Sequence, residues 1–278
     1  MPKTGYDAAH LADDVMAVIT ALDIHRPIVA GHSIAGEELS AMGARHPGKI
    51  AGLIYLDAAH EYAIYDRDRG AYLPDLNRLV VQISRMQEDP MDKLQMAKLS
   101  DDITALHRSL VSTLAAVAVD DASTAGAATS GPTPKDLASF AAFRCFVSRQ
   151  VGGTIPEDEI RQTFAATAAG GVGDQKTPAF VYNAILEGEE RFHAPGVPIL
   201  DIVPVPRVSD LPAGSEEVKR GAAEAMHTRM QEQEIATLQR QRPSAKIVRI
   251  AYGHHFVFLS NPSAVTRAMI DFGEQLPP

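Results

Sequence analysis

The chain has 278 residues, which is enough for one large α/β domain or for a core with an inserted subdomain. A formal net charge of −9 argues against a nucleic-acid partner, because binding a phosphate backbone requires a basic face. The single cysteine, Cys145, excludes an intramolecular disulfide and a cysteine-built zinc site. Its apolar neighbours favour a buried packing role.

The sequence has no stretch that is long and apolar enough to cross a membrane, and its first residues lack the apolar run of a signal peptide. We therefore expect a soluble, cytoplasmic protein with no membrane partner. Secretion is the alternative if the true start lies upstream of Met1.

The first 61 residues have the pattern of an α/β unit. Apolar residues on one helical face predict a helix at about 7–22, and the apolar run 27–31 predicts a buried strand. A second helix is expected from Ile34 to just before Pro47, since proline cannot continue it. The run 50–57 then predicts another buried strand, parallel to the first.

The pattern changes after Asp57 and returns near residue 196. Residues 62–195 show helical periodicities without a convincing strand, at 73–87, 91–119, 135–150, 157–169 and 178–192.

Strand, helix, strand and helix follow at 198–203, about 214–241, 246–251 and from Pro262, where Asn261 is the expected cap. The sequence therefore predicts an α/β fold with a mostly parallel sheet of about four strands. Its parts are a first core segment (1–61), a helical cap (62–195) and a second core segment (196–278).

The segment from Gly31 to Gly36, with the sequence Gly-His-Ser-Ile-Ala-Gly, lies between a predicted strand and a predicted helix. A nucleophile at a sharp strand-to-helix turn projects from the sheet edge, and small residues around it prevent clashes. Ser33 is therefore the candidate nucleophile, and the Ile34 amide at the helix start is the candidate oxyanion donor. A serine that only caps the helix is the alternative.

A serine nucleophile needs a base, and the base needs a carboxylate to orient it. His255, directly after the last predicted strand, is the candidate base, and His254 is its alternative. Two carboxylates follow strands between Ser33 and His255. Asp57 is favoured because it lies at a strand end, while Asp210 lies several residues beyond its strand, behind two prolines.

Three segments, 31–36, 54–59 and 253–262, together resemble the α/β-hydrolase superfamily. The resemblance covers the two core segments and implies Ser33 as nucleophile, His255 as base and an acid after the sixth or seventh strand of the family fold. Some relatives, such as haloalkane dehalogenases, carry the acid at the Asp57 position but use an aspartate nucleophile. A serine in that place favours cleavage of an ester, thioester, lactone or amide.

One departure from the family concerns the start of the chain. The family has about four strands before the helix predicted at 7–22, and its third strand ends in a His-Gly loop that supplies a second oxyanion donor. The resemblance therefore implies that these strands and this loop are lacking here. It also implies an unpaired, apolar edge at 27–31, which a second copy or a partner chain would cover.

The leading functional hypothesis is a serine hydrolase that cleaves a small carboxylic ester, or a thioester, lactone or amide, through an acyl-serine intermediate. The alternative is a catalytically impaired binding or scaffold protein that lacks the oxyanion loop. A third hypothesis is cofactor-free perhydrolase or haloperoxidase activity from the same triad. We expect no cofactor and no metal, since the sequence contains no nucleotide loop, flavin motif or metal-ligand cluster.

Overall fold

A computed structural model of the chain describes residues 4–59, 75–76, 78–80, 82–83, 93–117, 131–150, 154–186, 196–207 and 217–277. Its strands are β1 (Ile28–His32), β2 (Gly52–Leu56), β3 (Phe164–Ala166), β4 (Val172–Gln175), β5 (Ile199–Val203) and β6 (Lys246–Arg249). Four of them form one parallel sheet in the order β1-β2-β5-β6. The predicted α/β fold, with a parallel sheet of about four strands, is therefore confirmed.

The helices follow the predicted pattern over most of the described chain. They are α1 (Ala8–Ala21), α2 (Ala35–Arg45), α3 (Lys93–Val117), α4 (Phe140–Gln150), α5 (Glu157–Thr163), α6 (Ala179–Leu186), α7 (Glu217–Gln241), α8 (Val257–Ser260) and α9 (Pro262–Gly273). A short 3-10 helix at Asp136–Ala138 lies just before α4.

The two central strands, β2 and β5, are apolar because both faces of the sheet are covered. Successive side chains point to opposite faces, so Leu53 and Tyr55 join one core while Ile54 joins the other. The first core contains residues of α1, α2 and α7, and the second contains residues of α8 and α9. This packing fixes the strand ends on which the candidate site depends.

Strand β1 lies at one end of the sheet order and is paired with β2. The residues of β1 are half-buried or exposed, with Ile28 among the exposed ones, whereas β2 and β5 are almost entirely buried. A bare strand edge can pair with another chain. Coverage of this edge by a second copy or a partner stays a prediction.

A two-stranded hairpin corrects the expectation that residues 62–195 contain no strand. Helix α5 ends at Thr163, and β3 and β4 pair antiparallel directly after it. Gly170 has a φ of 81°, which favours glycine, and the Thr167 hydroxyl accepts a hydrogen bond from the Gly171 amide. These turn contacts close the hairpin where the periodicity predicted helix up to residue 169.

One smaller expectation, on Cys145, also needs correction, and one, on Asn261, is confirmed. Cys145 is exposed, because it lies on the outer side of α4 while Phe143 of the same helix is buried. Asn261 is the N-cap of α9 with Pro262 at its first turn, as predicted, and its side chain makes no capping hydrogen bond. Its backbone carbonyl accepts the first hydrogen bonds of that helix, from Ala264 and Val265.

None of the helices in the described parts of the chain combines the length and apolar character needed to span a bilayer. The cytoplasmic location inferred from the sequence stays a prediction.

Candidate active site

The carboxyl ends of the four parallel strands meet at one edge of the sheet, and the candidate residues lie there. Ser33 directly follows β1 and Asp57 directly follows β2, while His255 lies in the loop after β6. The Ser33 amide donates to the Leu56 carbonyl at 3.4 Å, and the Asp57 amide donates to the Ile202 carbonyl at 2.9 Å. These hydrogen bonds extend the strand pairing by one residue and hold Ser33 and Asp57 at the same edge. In open α/β sheets this edge is where ligands bind.

Ser33 lies on a strained turn between β1 and α2. Its φ of 55° is in the left-handed region, which a residue with a side chain seldom adopts outside functional turns. A Cβ on Gly31 would lie 3.1 Å from the Ala35 Cβ and 3.0 Å from the Leu39 Cδ1. The turn therefore requires small residues on both sides of Ser33, as the Gly-x-Ser-x-Ala spacing predicts.

The amino end of α2 lies directly after Ser33. The first hydrogen bonds at this end run from the Gly36 amide to the Ser33 carbonyl and from the Glu37 amide to the Ile34 carbonyl. The amides of Ile34 and Ala35 lie ahead of these hydrogen bonds in the chain. The first N–H groups of a helix have no acceptor within the helix, and these two amides are among them. An anion beside Ser33 would meet these amides and the positive end of the helix dipole.

Asp57 and His255 are brought together by the fold, although 198 residues separate them. The Asp57 Oδ2 atom lies 2.7 Å from the His255 Nδ1 atom. An ionised carboxylate can only accept, so this contact suits the tautomer of a neutral imidazole in which Nδ1 carries the proton and Nε2 is the acceptor. The Asp57 side chain is 5% exposed and that of His255 is 29% exposed, so the carboxylate is shielded while the ring reaches solvent.

The alternative base, His254, is buried in the same loop. Its Nδ1 atom accepts a hydrogen bond from the Phe256 amide at 3.1 Å, and its own amide donates to the Ser260 hydroxyl at 3.4 Å. These contacts support the loop that presents His255. The ring that contacts the Asp57 carboxylate at 2.7 Å is that of His255. Which of the two histidines acts as the base stays a prediction.

The alternative acid, Asp210, lies outside the described residues. Asp201, earlier in the same region, is fully buried within β5, and burial together with the nearby Asp57 charge raises its pKa well above the usual value. Asp201 therefore belongs to the sheet interior, away from the exposed edge.

Arg207 also lies at this edge, although the sequence alone did not indicate it. It follows β5, forms a parallel bridge with Gly253, and donates from its guanidinium to the same Asp57 Oδ2 atom that contacts His255. A cation at the same sheet edge as Asp57 was the signal that could have found it.

His32, the residue between Gly31 and Ser33, was also missed. Its Nε2 atom donates to the His255 carbonyl at 2.9 Å, and its ring centroid lies 4.4 Å from that of His255. Burial, with the nearby His255 charge, lowers the pKa of His32 to about 4, so its ring is neutral at pH 7. His32 thus holds the backbone of the candidate base.

Aromatic side chains connect the His255 loop to the segment predicted as the cap. Phe256 packs 4.8 Å from His32 between ring centroids and also contacts an apolar cluster of that segment. The buried members of this cluster are Phe140, Phe143, Ile155, Ile160 and Val172.

Within the part of the chain that the structure describes, no group of three or more His, Cys, Asp or Glu side chains is arranged to hold a metal ion. The groups gathered at this edge are a serine, an imidazole, a carboxylate and a guanidinium. Such a set is suited to nucleophilic and acid–base chemistry.

The chain is similar to known proteins in part of its sequence and in its fold. No family model matches the chain. A 56-residue stretch, 20% of this chain and 20% of the relative, is 39% identical to a "Putative non-heme haloperoxidase" of Mycobacterium phage D29. The chain thus covers about a fifth of that curated relative.

Two solved structures are similar over almost the whole chain. E-2-(acetamidomethylene)succinate hydrolase aligns with 98% of this chain and 76% of its own, at 16% identity and a TM-score of 0.51. A thioesterase domain from the curacin biosynthetic pathway aligns with 96% of this chain and 72% of its own, at 12% identity and a TM-score of 0.47. The main sheet is parallel, Ser33 lies on a strained turn between a strand and a helix, and the first of these structures has a similar fold. The chain therefore has the α/β-hydrolase fold.

Proposed function

We propose that the chain is a serine hydrolase that cleaves a small carboxylic ester, or a related thioester, lactone or amide, through an acyl-serine intermediate. The observation that carries the proposal is the 2.7 Å contact between Asp57 Oδ2 and His255 Nδ1, at the same sheet edge as Ser33. A carboxylate on Nδ1 fixes the tautomer in which Nε2 can take a proton.

Acylation begins when the Ser33 hydroxyl oxygen attacks the substrate carbonyl carbon and its proton passes to the His255 Nε2 atom. The Asp57 carboxylate stabilises the imidazolium that results. Negative charge develops on the carbonyl oxygen, where the Ile34 amide and the α2 dipole stabilise it. The tetrahedral intermediate then expels the alcohol, which takes the proton from His255, and Ser33 is left acylated.

Deacylation uses water in place of serine. The neutral His255 accepts a proton from water as its oxygen attacks the acyl carbon, and the proton then returns to the Ser33 oxygen as the carboxylic acid leaves. The cycle needs neither a metal nor a redox cofactor for its balance.

The character of the substrate's acyl group is inferred from the neighbours of His255. Phe256 joins the catalytic loop to the apolar cluster of the cap segment, and the His32 ring packs on both His255 and Phe256. These aromatic surfaces beside the candidate base favour a substrate with an apolar acyl group.

Turnover of p-nitrophenyl acetate tests the proposal. Ser33→Ala should reduce kcat/KM by at least about 10³-fold, because a hydroxyl nucleophile is lost while the fold is retained. Ser244→Ala, at an exposed turn, is the matched control and should keep wild-type turnover. Equal turnover by Ser33→Ala, or none by the folded wild type, would favour the alternative of a non-catalytic binding or scaffold protein.

The likeness to a haloperoxidase supports a second candidate function. If hydrogen peroxide replaces water in deacylation, the acyl-serine releases a peracid, and the peracid oxidises bromide outside the protein. Bromination of monochlorodimedone in the presence of acetate, peroxide and bromide tests this activity. The proposal of perhydrolysis fails if the rate is the same with Ser33→Ala.

A further inference from the structure

Arg207 and His255 share one oxygen of Asp57. The Arg207 guanidinium and the His255 Nδ1 atom both contact Asp57 Oδ2, and the Arg207 side chain is 18% exposed. Each of the three residues follows a different strand of the parallel sheet, so the backbone fixes their mutual positions.

The shared oxygen creates a competition between two cations. Arg207 is charged at every accessible pH, whereas His255 is charged only when protonated. The part of the Asp57 charge that Arg207 neutralises is no longer available to stabilise an imidazolium at His255. Asp57 would stabilise that imidazolium more strongly if it faced His255 alone.

The other ionisable groups near this cluster do not replace Arg207. His32 packs on His255 from β1 and is neutral at pH 7, since its pKa lies at about 4. Asp201, in β5, interacts with Asp57 and has a raised pKa because of its burial, and the charge of Arg249 in β6 acts on Asp201. His254 lies in the loop, with Nδ1 accepting the Phe256 amide. Among the residues that the structure describes, Arg207 is a permanently charged cation in direct contact with the Asp57 carboxylate.

We propose that Arg207 is a positioning residue that fixes Asp57 and, through its charge, keeps the His255 imidazole neutral to a lower pH than the Asp57–His255 pair alone would allow. The consequence for catalysis rests on the proposed hydrolase function: the base stays competent in mildly acidic solution. The charge effect itself does not require turnover.

The experiment measures the protonation of His255 by NMR of histidine-labelled protein, across pH 4.5–9, in wild type, Arg207→Gln and Arg207→Lys. Two cations that share one oxygen are about 5 Å apart, so removing one should raise the His255 titration midpoint by about one pH unit. Arg207→Lys retains the positive charge, so its His255 midpoint should lie close to that of the wild type. Arg45→Gln, which removes a cation paired with Asp13 on α1, is the control and should leave the midpoint unchanged.

Turnover gives an independent reading of the same effect. In the acid limb of the kcat/KM profile, Arg207→Gln should move the half-maximal point to higher pH by the same amount as the NMR midpoint. Loss of activity at all pH values without any shift is the result of a purely structural role, and it would overturn the proposed charge effect.

The outcomes separate this inference from the proposed function. A His255 midpoint that is unchanged or lower in Arg207→Gln overturns the inference, whether or not the wild type hydrolyses esters. A raised midpoint in a protein without ester turnover supports the inference and counts against the hydrolase proposal. If Arg207→Gln does not fold, Arg207→Met, which keeps the apolar stem, gives the same test.

Discussion

Replacing Asp57 by Asn should abolish activity with little disturbance of the backbone. Asp57 has a φ of 47°, and Asn is among the residues that tolerate the left-handed region. The variant therefore removes one negative charge and leaves the strand end in place. An Asp57→Ala variant would add the cost of a left-handed alanine, so Asn is the cleaner change.

The expected losses of kcat and of stability follow from the two contacts of Asp57 Oδ2. Loss of the carboxylate that holds His255 should reduce kcat by about 10⁴-fold, as loss of the orienting acid does in other triads. Arg207 would lose its anionic partner while remaining largely buried, and such a loss costs about 3 kcal/mol of the free energy of unfolding. We therefore expect a drop of about 6–10 °C in Tm for a protein of this size.

The double variant Asp57→Asn/Arg207→Gln separates the two effects. Removing the unpaired guanidinium should restore most of the lost stability, while activity stays at the level of Asp57→Asn. Urea unfolding followed by circular dichroism gives the stability, and p-nitrophenyl acetate turnover gives kcat. The reasoning is refuted if Asp57→Asn keeps kcat within tenfold of wild type. A large loss in Asp210→Asn would then identify the alternative acid.

Three further predictions concern the turn and the sheet interior. Gly31→Ala should lower the free energy of unfolding by about 1–3 kcal/mol in urea, because the new Cβ would lie 3.0 Å from the Leu39 side chain. Gly48→Ala is the control, since its Cβ would meet nothing within 4 Å. Equal losses of stability in the two variants would contradict this account. The pKa of His32 is lowered to about 4 by burial, so the unfolded chain binds more protons below pH 6.5 and stability should fall from pH 6.5 towards pH 4. His32→Gln should flatten this dependence in thermal unfolding, and an unchanged slope would refute it. Burial raises the pKa of Asp201, so the folded state binds more protons than the unfolded one above pH 4 and stability should fall as pH rises from there. Asp201→Asn should therefore raise Tm relative to wild type more at pH 7 than at pH 4, and an equal effect at both pH values would contradict the reasoning.

The sequence was sufficient for the sheet and for the placement of several candidate residues because these features depend on local patterns. The apolar runs that became β2 and β5 are buried on both faces, so composition alone indicates them. The turn at Ser33 was recognisable because its small neighbours are required by contacts within nine residues, from Gly31 to Leu39. The contact of Asp57 with His255 followed from the rule that parallel strands end at one edge.

Other features depend on contacts that no local pattern contains. The β3–β4 hairpin is closed by hydrogen bonds around Thr167 and Gly170, in a segment whose small residues also suit a helix. Arg207 reaches Asp57 across 150 residues, and no spacing in the sequence indicates that pairing. His32 was hidden within the serine motif, since its role depends on the His255 carbonyl and on burial.

The central claim is that Ser33 is a nucleophile activated by His255, and covalent labelling tests it most directly. Intact and peptide mass spectrometry after treatment with a fluorophosphonate should find one phosphonyl group per chain, attached to Ser33, and its rate of formation should fall steeply in His255→Gln. Folded wild-type protein that remains unlabelled, or that carries the group on another residue, would contradict the claim.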